Sequence, residues 1–110
     1  MHGKQLAAIV MEPVRSEMPV PGFIESVRQM ADDTGAVLIM DEVSAGFRYC
    51  LGGAHLTLHN VQPDMAVFSK ALGNGYAIAA VIGKASVMAN VILWSLCSMS
   101  LSTFVSQQKR

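Results

Sequence analysis

Two residues stand where they could do chemistry that an ordinary surface residue cannot. Lys70 follows the short apolar run Met65–Phe68 and Ser69, and precedes the glycine-bracketed turn Gly73-Asn74-Gly75. A lysine at a strand end, beside a turn nearly free of side chains, can direct its ammonium into a crevice, and the glycines let a bulky group approach the backbone. Once deprotonated, a lysine amine attacks carbonyl compounds to form Schiff bases. The plain alternative, a solvated lysine at the start of a loop, describes most lysines. The second residue is Asp41, which with Glu42 ends the apolar run Ala36–Met40. Carboxylates at the end of a buried parallel strand lie on the edge where α/β proteins bind ligands.

Three functional readings of Asp41-Glu42 compete with the commonest fate of a strand-end aspartate, which is to cap the following turn. A magnesium-dependent nucleotide hydrolase needs a phosphate loop of the form GxxxxGK[ST]. Gly83-Lys84 is followed by Ala85 and lacks the first glycine. A dinucleotide fold needs a third glycine after Gly73-Asn74-Gly75, where Ile78 stands instead. The third reading pairs Asp41 with Lys70. Two adjacent strand ends would present an acid and an amine to opposite ends of one aromatic ring. Pyridoxal phosphate requires that pairing: a lysine for its aldehyde, and a carboxylate that keeps its ring nitrogen protonated. Val43, two residues past Asp41, is a candidate to pack against the ring face.

The elements that must position these residues follow from the hydrophobic pattern. Leu6–Met11 is continuously apolar and stops at Glu12-Pro13, which fits a strand covered on both faces, as in a parallel sheet. A helix is predicted over about 21–34, with Phe23, Val27, Met30, Ala31 and Thr34 at helical spacing and Gly35 ending it in a left-handed conformation. Ala36–Met40 is a second buried strand, so strand, helix and strand form a right-handed parallel crossover. Residues 43–63 are a long connection broken by Gly46, Gly52 and Gly53, with a short helical turn at 54–58. Met65–Phe68 and Ile78–Ile82 complete the strands. Glu42 and Arg48 are expected to form an ion pair that shapes the loop, and His55 and His59 to be ordinary loop histidines.

Apolar residues make up 52% of the 110-residue chain and charged residues only 15%, a balance that suits a segment buried on several sides. With a formal net charge of zero, nothing electrostatic points to nucleic acid or an acidic membrane. Two cysteines, Cys50 and Cys97, make no metal or disulfide framework and are expected to be reduced. The stretch Val91–Val105 carries no charge, yet it is too short to span a bilayer.

Taken together, Asp41-Glu42-Val43-Ser44-Ala45-Gly46-Phe47-Arg48, then Pro63-Asp64-Met65, then the run from Phe68 to Gly75 resemble the core of the class III aminotransferases, pyridoxal-phosphate-dependent enzymes of fold type I. Ile9-Val10-Met11-Glu12-Pro13 and Pro21-Gly22-Phe23 match the family's pattern as well, and the closest flavour is the glutamate-1-semialdehyde aminomutase-like branch. The resemblance covers residues 6–88 and implies an α/β fold: a partial, parallel-rich sheet with a crossover helix, part of the family's large domain. Residues 1–88 are then a piece of the cofactor-binding domain, and residues 89–110 a divergent apolar tail.

On this resemblance Lys70 corresponds to the lysine that forms the Schiff base with pyridoxal 5'-phosphate and carries the proton. Asp41 corresponds to the partner of the pyridine nitrogen, and Val43 to the residue behind the ring. Glu12 corresponds to an acid near the floor of the site, with a structural acid before a proline as the equal alternative. The implied reaction is amino-group transfer between a small-molecule amino donor and a carbonyl acceptor, in a cytoplasmic homodimer, with no metal, nucleic acid or membrane. An aminomutase that moves the group within one substrate, or a non-catalytic truncated fragment, are the alternatives. The family's phosphate-gripping loop, upstream of the Glu-Pro segment, and its small C-terminal domain are not found in this sequence. The chain alone is therefore expected to bind the cofactor weakly and to be inactive.

Overall fold

The computed structural model describes residues 5–89. Its elements are β1 (Ala8–Met11), α1 (Phe23–Thr34), β2 (Val37–Asp41), α2 (Ala54–His59), β3 (Met65–Phe68) and β4 (Ala80–Gly83), with a 3-10 turn at Lys70–Leu72. The uncharged stretch 91–105 lies outside the described residues.

The strands form one sheet in the order β1-β2-β3-β4. β1, β2 and β3 run parallel, with Ala8 opposite Val37 and Asp41 opposite Val67. β4 returns antiparallel, with Ala80 opposite Phe68. The parallel part is what apolar, β-branched runs separated by a helix dictate. β4 can be antiparallel because the connection from β3 is too short for a crossover.

Helix α1 starts after Gly22, whose φ of 84° lies in the left-handed region. It ends in a Schellman motif, in which Gly35 N–H donates to Asp32 O (3.3 Å) and Ala36 N–H to Ala31 O (3.0 Å). Gly35 has the expected left-handed φ of 71°. The stripe that faces the sheet differs from the expected one. Ile24 and Ala31 are buried, whereas Phe23 is 48% and Met30 54% exposed. The true stripe is rotated by about one residue and contains a half-buried charge, Arg28, which is why a purely apolar pattern missed it.

The core lies between α1 and one face of the sheet: Ile24, Ala31, Leu38, Met40, Val61, Ala66 and Phe68. Burial alternates along β2 and β3, so the opposite face carries Val37, Ile39, Asp41, Met65 and Val67 half-exposed. β1 departs from its expected two-sided burial, since Val10 is 63% exposed. α1 covers the core face. The last strand begins two residues later than expected. Ile78 N–H donates to Tyr76 O (2.8 Å) and Ser69 Oγ donates to Ile78 O (3.2 Å), so Ile78 belongs to the turn.

Asp64 ties these elements together at the start of β3. Its Oδ2 accepts the Leu38 backbone N–H (2.8 Å) and Arg28 Nη1–H (2.9 Å). Its Oδ1 accepts from Lys84 Nζ (2.7 Å), just past β4. Burial opposes ionisation, but the bonds from Lys84, the Leu38 N–H and Arg28 outweigh it and hold the carboxyl at about 2. One carboxylate thus fixes α1, β2 and β4 relative to β3, and β2 and β3 are the strands that lead to Asp41 and Lys70.

Candidate active site

Parallel strands that point the same way deliver their carboxyl ends to one edge of the sheet, where open α/β sheets bind ligands. Here β1 runs into Glu12, β2 ends at Asp41, and β3 is followed by Ser69 and Lys70. A cavity of about 510 Å³ opens at that edge, lined by Asp41, Val43, Lys70, Glu12, Ser44 and Arg48 among others. The volume falls in the range of small-molecule sites. The structure therefore brings Lys70, Asp41, Val43 and Glu12 together in one cavity.

Lys70 is held there by an uncommon backbone. Its φ is 45°, in the left-handed region that a residue with a Cβ enters at a cost of about 1 kcal/mol. The conformation is fixed by the turn that follows, because Gly73 N–H and Asn74 N–H both donate to Lys70 O at 3.0 Å. Gly73 is required at that place: a Cβ would run into the Tyr76 carbonyl. The side chain of Lys70 turns back toward β2, and its Nζ donates to Ser44 Oγ at 2.8 Å.

Asp41 caps the turn that leaves β2, its Oδ1 accepting the Val43 N–H at 3.0 Å. The capping role that a strand-end aspartate commonly takes is thus met by one oxygen, and Oδ2 has no other partner among the described residues. The same bond sets Val43 beside the carboxylate on the cavity wall. Glu12 lies 3.6 Å from Arg15 Nε at the rim.

The neighbouring Glu42 does something else. Its side chain is fully buried, and its Oε1 accepts both the His55 backbone N–H (2.8 Å) and His55 Nδ1–H (2.6 Å). Burial opposes its ionisation, but the His55 ring and the N–H groups of His55 and Ala54 prevail and hold the carboxyl below its usual range. The expected Glu42–Arg48 ion pair is therefore replaced by a Glu42–His55 pair, because alternate residues at the strand end point to opposite sides. His55 is not an ordinary loop histidine: it is buried in α2 and anchors that helix beneath the site. His59, on the same helix, sits with Nε2 3.1 Å from Pro13 O.

Ser44, Arg15 and Tyr49 also line the cavity, and the sequence reading assigned them nothing. Ser44 and Arg48 carried a signal, being inside the same motif as Asp41. Arg15 and Tyr49 carried none, since the loop path that brings them in is set by distant packing. Part of that path is the Phe47 ring, which meets Phe68 edge-on at 5.5 Å between centroids. Gly46 permits it, since a Cβ there would lie 2.6 Å from the Phe68 ring.

The donor set can be tested against the cofactor that the sequence suggested. An amine, an acid with an unengaged oxygen and a branched apolar side chain share one cavity, and these are the groups a pyridoxal ring engages. The residues fit the ring.

Comparison with known proteins points the same way. The chain is 44% identical over 89 residues to a 3-aminobutyryl-CoA aminotransferase from Cloacimonas acidaminovorans, covering 76% of this chain and 21% of that protein. Among solved structures it is similar to N-acetylornithine aminotransferase from Stenotrophomonas maltophilia (TM-score 0.63, 37% identity, 74% of this chain and 23% of that one). It is similar also to ornithine aminotransferase from Plasmodium yoelii (TM-score 0.67, 27% identity, 74% of this chain and 23% of that one). The chain thus spans less than a quarter of the length of these relatives. The sequence profile of the aminotransferase class-III family matches residues 1–106, past the point where the motifs end. With that match, and with the fold it shares with solved aminotransferases, the chain belongs to the class III aminotransferase family.

Proposed function

We propose that this chain is the lysine-bearing part of a pyridoxal-phosphate-dependent aminotransferase, which moves an amino group from a small amino donor to a carbonyl acceptor. The observation that carries the reading is the convergence of Lys70 and Asp41, from adjacent hydrogen-bonded strands, on one cavity. When bound, the cofactor supplies an aldehyde for a lysine amine and a ring that accepts an electron pair. Lys70 would hold the cofactor through its amine and, within each half-reaction, would take or give a proton at Nζ. Ser44 keeps that nitrogen in the cavity through its 2.8 Å hydrogen bond. Asp41, with Oδ1 tied to the Val43 N–H, would offer Oδ2 to the ring nitrogen, and Val43 would hold the ring face. Glu12, paired with Arg15, would contribute an acid on the cavity lining.

Transfer between two molecules is favoured over an aminomutase reaction because the matched relatives are aminotransferases. The Phe47-Arg48 form of the motif keeps the aminomutase-like branch as the second reading, and a product assay with a single diamine or amino aldehyde separates the two. We further read residues 1–88 as part of the large domain of a cytoplasmic homodimer that acts on small molecules rather than on nucleic acid or membranes. Consistent with this, no described helix is long and apolar enough to cross a membrane.

The test is an absorbance titration of the full chain with pyridoxal phosphate. The wild type gains the visible band of a lysine Schiff base, with weak affinity. Lys70→Ala does not gain it, and Asp41→Asn weakens binding about tenfold or more, the loss of a charge-assisted hydrogen bond. A band of full strength in Lys70→Ala contradicts the reading.

A further inference from the structure

Asp41 can serve a ring nitrogen only if its carboxylate is aimed, and the aim is set by the residue after it. The planar peptide between Glu42 and Val43 carries both groups that matter. Its N–H donates to Asp41 Oδ1 (3.0 Å), and its carbonyl accepts the Gly46 N–H (2.8 Å). That plane hinges on the Glu42 Cα. The Glu42 N–H is bonded to Val67 O on β3 (2.9 Å), which leaves the side chain to fix the remaining direction.

The Glu42 side chain is built for that. Its Oε1 takes two bonds from one residue at the start of α2, the His55 backbone N–H (2.8 Å) and His55 Nδ1–H (2.6 Å). Two donors on one oxygen, one of them main chain, hold the carboxylate in a single orientation. The His55 ring is confined in turn, since a Cβ on Gly53 would run into it. Glu42 is fully buried, and its Oε2 has no hydrogen-bond partner among the described residues. A buried charge so placed costs stability that an apolar side chain of similar volume would not. What it supplies is direction.

We infer that Glu42 and His55 are positioning residues for the cofactor: the buried pair holds the 42–43 peptide plane, and the N–H of that plane aims the Asp41 carboxylate at the ring nitrogen. Neither residue lines the cavity, so both act through Asp41. The inference deepens the proposed function and rests on its reading of Asp41.

The first test needs no cofactor. In the nuclear magnetic resonance spectrum of the full chain, the Val43 amide proton should shift as acid protonates Asp41, and Asp41→Asn should abolish that shift. His55→Leu keeps bulk but removes the ring donor, and is expected to reduce the shift by about half or more. His55→Asn returns a donor near the Nδ1 position and is expected to preserve it. Glu42→Gln keeps an acceptor but loses the charge that strengthens both bonds, so a smaller reduction in the same direction is expected, even if His55→Leu does not fold. No acid shift of Val43 in the wild type, or no reduction in either His55→Leu or Glu42→Gln, overturns the inference.

The second test separates aim from general damage. Pyridoxal phosphate is compared with salicylaldehyde, an aromatic aldehyde that has no ring nitrogen, for borohydride-fixed labelling of Lys70. His55→Leu is expected to raise the half-maximal concentration of pyridoxal phosphate about fivefold, and that of salicylaldehyde less than about twofold. Added to Asp41→Asn, it should raise the pyridoxal phosphate value less than about twofold further, because both changes act through one carboxylate. Equal losses for the two aldehydes, or fully additive losses in the double variant, overturn the inference. An unlabelled Lys70 in the wild type counts against the proposed function alone, because the Val43 amide decides the positioning without it.

Discussion

Removing the charge of Asp64 should dismantle the framework under the site, and the size of the effect can be worked out beforehand. The carboxyl is held at about 2, below its ordinary 3.8, by Lys84, the Leu38 N–H and Arg28 against the opposing effect of burial. Its side chain is 12% exposed, so solvent screens these interactions little. A fall from 3.8 to about 2 corresponds to about 2 kcal/mol of stability. Because the folded-state value is the lower one, that contribution is complete above pH 4 and is lost as the pH falls from about 4 toward 2. Asp64→Asn should cost more than this at pH 7, about 3 kcal/mol, because it also leaves the half-buried Arg28 facing an uncharged partner. The assay is urea unfolding followed by far-ultraviolet circular dichroism, on wild type and variant, at pH 7, 4, 3 and 2. The difference between them should be constant down to pH 4 and then shrink by about 2 kcal/mol. A difference that stays flat to pH 2 would refute the assignment of that stability to the ionised carboxylate.

Three further outcomes follow from named contacts. Glu42→Ala strands the buried His55 backbone N–H and should cost about 3 kcal/mol in the same unfolding assay, whereas Glu42→Gln keeps an acceptor and should cost less. Since the Glu42 carboxyl is also held low, its share of the stability should fade as acid protonates it, with Glu42→Gln less sensitive over that range. Gly46→Ala drives a methyl group into the Phe68 ring and should cost about 1–3 kcal/mol, together with reduced labelling of Lys70 two residues beyond Phe68.

Much of this arrangement was legible in the sequence because it is local. Unbroken apolar runs ending in Glu12, Asp41 and Ser69-Lys70 mark strands whose ends meet at one edge, and Gly35 marks the end of α1. Lys70, Asp41, Val43 and Glu12 could therefore be named before their positions were known. What was hidden depends on contacts far apart in the chain. Arg28 sits in the core-facing stripe of α1 because Asp64, 36 residues away, receives it, and a search for apolar spacing passes over such a residue. The Glu42–His55 pair crosses 13 residues, and nothing in a motif specifies which acid a histidine will meet. Val10 reads as a buried strand residue by type, yet it lies on the sheet face that α1 does not reach.

Lys70 is the proposed covalent site, and one measurement reaches it directly. The full chain is incubated with pyridoxal phosphate, reduced with borohydride, digested and mapped by mass spectrometry. The expected result is a modification concentrated on Lys70, little on Lys84, whose ammonium is engaged by Asp64, and diminished by Asp41→Asn. Equal labelling of Lys70 and Lys84, unaffected by Asp41→Asn, would contradict it.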